Sequence, residues 1–327
     1  MIPKRFQIPV CILFALAAVC FSNTANAQSP ETGPLQEDVR LMTIPISIFT
    51  EKEMKKGEFE EFVQAGRLSL EENKEDQEIL SIRSVSNQPL ALAVLIQDDL
   101  SSDTNLQLNN IKKFIRQLPE DSRVMVAYLR GGSLQVRQPF TRDLEKAANS
   151  IRVIFGSPTA APRSPFESAN SALKRFDGLP NGRRAVLMVS DGLDVSRGIS
   201  MSSPGLNPEL DNAILQAQKR GIAVYAIFST ATYTRSGNSR LVLNGQSALN
   251  RFASETGGRA FFSGTGNPVS FRPFFRTLER TLSRQFALTY LSTHMKSGYY
   301  KVNVESSNPE IRIDHPRGYY YRKVKSR

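Results

Sequence analysis

Leu90-Ala91-Leu92-Ala93-Val94-Leu95-Ile96-Gln97-Asp98-Asp99-Leu100-Ser101-Ser102 and Arg184-Ala185-Val186-Leu187-Met188-Val189-Ser190-Asp191-Gly192 are two apolar runs of strand length, each stopping on carboxylates and hydroxyls. Continuous apolar strands belong in a parallel sheet covered on both faces, and the ligand crevice of an open α/β sheet lies outside the carboxyl ends of its strands. Carboxylates, hydroxyls and water are the ligands that a hard cation such as Mg²⁺ prefers. This edge is therefore expected to bind something.

Around these runs, strands alternate with helical patterns. After Leu90–Ile96 comes a helix with Leu108, Ile111, Ile115 and Leu118 on one face, stopped by Pro119. Arg123–Arg130 and Ser133–Phe140 flank Gly131-Gly132, the signature of a hairpin with one antiparallel strand. A helix ending near Phe176, the strand 184–189, a helix from Pro208 to Arg220 and the strand Ile222–Phe228 continue the alternation. A polar loop Thr230–Gly245, a helix Gln246–Glu255, a short strand Arg259–Phe262 and a helix through Phe271, Phe275, Leu278 and Leu282 complete it. The expected fold class is α/β: a doubly wound, mainly parallel, Rossmann-like three-layer sheet over residues 88–292, with its switch point beside the first strand. That wiring puts Asp98 and Asp191 together.

The flanking segments read differently. In 42–86, Ile44, Ile46 and Ile48 alternate, followed by Leu68 and Leu70 and then Ile79, Leu80 and Ile82; in 293–327, Tyr299–Val304, Ile311–Ile313 and Tyr319–Tyr321 are short strands. Neither segment has enough apolar residues to stand alone, so the two are expected to pack into one small accessory β domain.

Residues 1–27 read as a signal peptide, with Lys4 and Arg5, an apolar run from Val10 to Phe21 and the small-x-small site Ala25-Asn26-Ala27; 28–41 reads as a flexible leader. The chain is expected to be exported to the periplasm, the cell surface or the medium, with no transmembrane segment in the mature chain, since a span needs about 20 apolar residues. Both cysteines, Cys11 and Cys20, fall inside the signal, which excludes disulfides and cysteine-bound metal from the mature chain. The 42 Lys and Arg against 31 Asp and Glu give a formal charge of +11. Such a surface favours a protein or an anionic envelope component as partner. The short basic tail Arg322-Lys323-Val324-Lys325-Ser326-Arg327 lacks interleaved aromatics, so no nucleic acid is expected.

In their order along the chain, the Asp-rich end of the first strand, Val189-Ser190-Asp191-Gly192, Glu255-Thr256-Gly257-Gly258 and the closing Gln285-Phe286-Ala287-Leu288-Thr289-Tyr290 with Arg317-Gly318-Tyr319-Tyr320 resemble the von Willebrand factor type A domain, and especially its bacterial exported relatives. The resemblance implies a recognition module, frequently with a metal-ion-dependent adhesion site whose cation is completed by a carboxylate of the partner. The family's first metal loop is Asp-x-Ser-x-Ser, and this chain departs from it. Starting at Asp98 keeps the first carboxylate and Ser102 but places Leu100 at the first Ser; starting at Asp99 restores Ser101 but ends on Asp103. The resemblance gives Asp98, Ser102 and Asp191 as metal candidates for Mg²⁺ or Ca²⁺, with Asp99, Thr159 and Ser164 as further ones, and Arg163 and Asp194 as partner-binding candidates. A bound cation and a metal-free crevice with the Arg163 guanidinium in its place are the two alternatives.

An enzyme is not expected. The two histidines, His294 and His315, lie in the C-terminal β segment, and no nucleophile elbow, zinc-binding His-Glu-x-x-His or phosphate-binding glycine loop follows a strand. The reading is a binding or adhesion module; the alternatives are a metal-dependent hydrolase and a metal-free scaffold of the cell envelope.

Overall fold

The computed structural model describes residues 39–50, 68–156, 164–180 and 182–321. The proposed signal peptide, Thr159 and Arg163 lie outside the described residues. In chain order the strands are β1 (Arg40–Thr50), β2 (Leu68–Glu72), β3 (Glu75–Asp76), β4 (Ile79–Ser84), β5 (Leu90–Gln97), β6 (Arg123–Arg130), β7 (Ser133–Thr141), β8 (Arg183–Ser190), β9 (Ala223–Phe228), β10 (Ala260–Phe261), β11 (Gln285–Ser292), β12 (Gly298–Ser306), β13 (Ile311–Asp314) and β14 (Gly318–Tyr321). The helices are α1 (Leu108–Arg116), α2 (Leu144–Asn149), α3 (Pro165–Leu173), α4 (Pro208–Lys219), α5 (Ser239–Glu255) and α6 (Arg272–Ser283).

The central sheet has the order β10-β9-β8-β5-β6-β7, parallel except for β7, which returns antiparallel beside β6. It is doubly wound, and the order reverses between β5 and β8, where the two strands pair in parallel from Leu90↔Arg183 to Ile96↔Val189. Alternation along β5 divides the core. Leu92, Val94 and Ile96 face Ile111 and Ile115 of α1 and Phe275 and Leu278 of α6, while Ala93 and Leu95 face Phe166 of α3, Leu210 of α4 and Phe252 of α5. Burial on both faces is why these strands read as unbroken apolar runs.

Two antiparallel sheets, β13-β1-β11-β4 and β14-β12-β2-β3, enclose a third core. Ile44, Ile46 and Ile48 of β1 and Phe286, Leu288 and Tyr290 of β11 meet Leu70, Tyr300, Val302, Val304 and Tyr319 there. β11 is thus a central accessory strand, although residues 88–292 were assigned to the doubly wound domain. Its polar-apolar alternation, with Thr289 between buried Leu288 and Tyr290, fits a sheet with one covered face. The N-terminal boundary also moves. β1 starts at Arg40, within the expected leader, because the Arg40 guanidinium is buried against Glu72 at 3.3 Å and stacks 3.8 Å from the Tyr321 ring centroid.

The helix after β9 begins seven residues earlier than Gln246, at Ser239, with the Asn238 side chain accepting the N–H groups of Arg240 and Leu241. Gly245 reads as loop punctuation in the sequence, but it stands mid-helix because α5 presses there onto the loop after β8. A Cβ on Gly245 would collide with the Asp191 carbonyl oxygen, and one on Gly192 (φ +66°) with the Gly245 carbonyl.

Candidate functional site

At the switch point the ends of β5 and β8 are joined by one amide. Gln97 donates from Nε2 to Asp99 Oδ1 (2.8 Å), and its Oε1 accepts from the Ser190 hydroxyl (2.5 Å) and the Asp191 N–H (3.1 Å). The loop after β9 closes over this pair. Thr232 N–H donates to Asp99 Oδ2 (3.4 Å), the Thr234 hydroxyl donates to Asp191 Oδ2 (3.1 Å), and Leu193 N–H holds Asp191 Oδ1 (3.1 Å). That loop is anchored by Ser101 N–H to the Thr230 carbonyl (2.8 Å) and by Asn267 Oδ1, which accepts from Thr230 N–H (2.6 Å).

Asp99 and Asp191 are 1% and 2% exposed. Burial first, and then the Asp99 charge, push the Asp191 carboxyl up to about 7, against the opposing hydrogen bonds of Leu193, Gln97 and Thr234. A negative charge at Asp191 is therefore under-compensated.

Asp98 belongs to a different cluster. Its Oδ1 accepts from Arg152 Nη2 at 2.6 Å, and its Oδ2 lies 3.7 Å from Arg130. Arg152 is itself fixed over the Tyr128 ring (4.1 Å to the centroid), with its N–H donating to the Tyr128 hydroxyl and its carbonyl accepting from it. Asp99 is the carboxylate whose charge acts on Asp191, whereas Asp98, the one favoured in the sequence, is compensated by arginine. Among the described residues the guanidinium of Arg152 meets the strand-end carboxylate of Asp98.

Ser102 is exposed at the start of a 3-10 helix, while Ser101 is buried and donates to Asp103 (3.3 Å). Ser164, fully buried, caps α3 and donates to Asp194 Oδ2 (2.7 Å), whose other oxygen accepts from Ser196 N–H (2.9 Å). The structure thus joins Ser164 to Asp194 in a pair of their own, and Asp194 is only 8% exposed. Gln97, Arg152, Thr232 and Thr234 were missed. The signal for Gln97 was a polar residue ending an otherwise apolar strand; Thr232 and Thr234 follow β9, the neighbour of β8, on the same sheet edge.

Among the described residues the crevice offers oxygen ligands: two carboxylates and the hydroxyls of Thr232 and Thr234. The Thr232 Oγ1 is buried without a hydrogen-bond partner among the described residues. This donor set fits a hard divalent cation. The described residues hold no group of three or more His, Cys, Asp or Glu able to bind a metal alone, so hydroxyls, water or a partner would complete the shell.

A doubly wound sheet with an antiparallel edge strand, carboxylates at its switch point and added antiparallel sheets is von Willebrand A-like in fold class. No family model and no curated protein matches the sequence. Among solved structures the chain is similar to a serine-substituted aerotolerance-related membrane protein of Bacteroides fragilis, 14% identical with a TM-score of 0.42, covering 59% of this chain and 98% of that one. It is also similar to the conserved hypothetical protein BatB of Bacteroides thetaiotaomicron (15% identical, 59% and 97% covered, TM-score 0.42). A von Willebrand factor type A protein of Catenulispora acidiphila is 9% identical, with 79% and 74% covered and a TM-score of 0.42. Among the described residues, no helix is long and apolar enough to cross a membrane.

Proposed function

We propose that this protein is an exported, non-enzymatic binding module whose partner docks at the carboxyl edge of the doubly wound sheet, over a divalent cation held by Asp99 and Asp191. The observation that carries the reading is the buried like-charge pair. Burial and the Asp99 charge both disfavour ionised Asp191, and a cation between the two carboxylates relieves both effects. Mg²⁺ or Ca²⁺ would be held by Asp99 and Asp191 with help from the Thr232 and Thr234 hydroxyls, and would supply a positive centre for an acidic group of the partner. Gln97 fixes the spacing of the two acids, and Arg152 neutralises Asp98 so that it does not add a third charge.

The supporting experiment is calorimetric titration of the full chain with Mg²⁺ and Ca²⁺, followed by partner capture with and without chelator. Saturable cation binding that Asp191→Asn and Asp99→Asn abolish supports the adhesion site. The metal-free scaffold is favoured instead if neither cation binds and chelator leaves capture unchanged. The internal hydrogen bond to each of the four carboxylate oxygens is the observation on that side.

A further inference from the structure

A cleft of about 900 Å³ lies away from the carboxyl edge, where the C-terminal end of α5 meets the accessory strands. It sits near the amino end of the sheet: the Thr256 hydroxyl just after α5 accepts the N–H of Val224, the second residue of β9. Five cationic side chains, Lys74, Arg259, Lys301, Arg312 and Arg317, line it against the three acids Glu71, Glu255 and Asp314. Two of those acids are already engaged. Asp314 lies 2.7 Å from Arg259 and 3.4 Å from Arg312, and Glu255 lies 2.9 Å from Arg251. Lys74, Lys301 and Arg317 form no ion pair among the described residues.

Lys74 is held in place by an uncommon backbone. Asn73 and Lys74 are the central residues of the β2–β3 turn, with φ of +53° and +73°, a region that a lysine rarely adopts and glycine adopts freely. The turn is locked to β12: Asn73 N–H donates to the Lys301 carbonyl (2.9 Å), and the Asn73 side-chain oxygen accepts from Lys301 N–H (2.9 Å). Lys74 and Lys301 are thereby fixed on one wall.

We propose that this cleft binds an acidic oligosaccharide, its carboxylates met by Lys74, Lys301 and Arg317 and its hydroxyls by Asn250, Ser254 and Asn303. The volume falls within the range of small-ligand sites. The unpaired cations select an anion, and the amide and hydroxyl side chains suit a ligand rich in hydroxyls. Tyr299, 40% exposed in the same cleft, offers an aromatic face against which a sugar ring can lie, a contact that the acidic side chains of a peptide have no ring to make.

The test is calorimetric titration of the full chain with tetragalacturonate, with maltotetraose as the neutral control and tetraglutamate as the peptide of matched charge. Saturable binding of tetragalacturonate alone is expected. Lys74→Gly, Lys301→Gln and Arg317→Gln should each weaken it by roughly 5- to 20-fold, as for the loss of one solvent-screened charge-assisted contact. Lys74→Gly should keep or raise the thermal midpoint, since glycine suits the turn, which separates lost binding from lost folding. Asp191→Asn, at the other site, should bind tetragalacturonate as the wild type does. The proposal is overturned by absent binding, by equal binding of maltotetraose or tetraglutamate, by variants that bind as tightly as the wild type, or by loss of binding in Asp191→Asn.

Discussion

Gly245, in the middle of α5, lies directly against the Asp191 carbonyl, at a separation that admits no side chain. Helix propensity alone would favour alanine there by about 1 kcal/mol. The collision is with backbone, which cannot rotate away, and overpacking of this kind costs roughly 1–3 kcal/mol or more. Gly245→Ala should therefore lower stability in urea or thermal unfolding despite its better propensity. Because the clash falls on Asp191 itself, it should also weaken cation binding; a stabilised variant with unchanged binding would show that the helix can move aside.

Arg152 and Asp98 form a pair in which the carboxylate is almost wholly buried and the guanidinium partly so. Removing one member leaves a buried charge, for which the loss is roughly 3–5 kcal/mol in buried pairs and less where, as here, solvent reaches one partner. Arg152→Gln is expected to destabilise by about 2–3 kcal/mol on that scale. Adding Asp98→Asn should recover much of the loss, and a double-mutant cycle measures the coupling. Additive effects would mean that Arg130, 3.7 Å from the same carboxylate, compensates Asp98 alone.

The legible parts were those governed by periodicity. Leu92, Val94 and Ile96 against Ala93 and Leu95 gave a strand buried on both faces, and the interleaved helices gave the winding and hence the crevice between β5 and β8. Contacts across the chain were not legible. Nothing in the local pattern at Ile151-Arg152-Val153 says that its guanidinium turns onto Asp98, 54 residues earlier. The choice between Asp98 and Asp99 depended on where Arg152 and Thr232 fall in space, and adjacent acids in one loop carry no such information. Gly245 misled for a related reason: a glycine needed for close approach has the same letter as one that ends a helix.

Arg183, at the start of β8, is the bolt between the sheet and the accessory strands. Its Nε donates to Gln285 Oε1 (2.9 Å), its Nη1 to the carbonyls of Ser86 and Gln88 (2.9 and 3.0 Å), and its Nη2 to the Leu282 carbonyl (2.9 Å). Burial lowers its pKa to about 10, so it remains charged at neutral pH. Lysine keeps the charge but not the planar fork, and each buried acceptor left unpaired costs about 1–3 kcal/mol. Arg183→Lys should thus destabilise by roughly 2 kcal/mol or more. An unchanged denaturation midpoint would show that the fork contributes nothing.

His315 gives the accessory region a dependence on pH. Its Nε2 accepts from Val304 N–H (3.3 Å), and its Nδ1 lies 3.0 Å from the Pro316 carbonyl, an arrangement suited to the neutral ring with its proton on Nδ1. Burial is the main cause that lowers its pKa below the ordinary 6.5, only partly offset by the Pro316 carbonyl. The unfolded chain takes up a proton near pH 6.5 that the folded chain resists, so the unfolded state binds more protons below that pH and stability falls there. Well above pH 6.5 this contribution is fully present, and it is lost progressively as the pH falls through and below that value. Asp191, raised to about 7, gains stability on acidification in both proteins alike, so the readout is the difference between them: the urea midpoint of the wild type relative to His315→Gln, which cannot titrate, should fall as the pH goes from 8 to 5, although that variant starts from a lower stability at pH 8. Parallel slopes for the two proteins would show that His315 titrates alike in both states, and would assign the acid sensitivity to other groups.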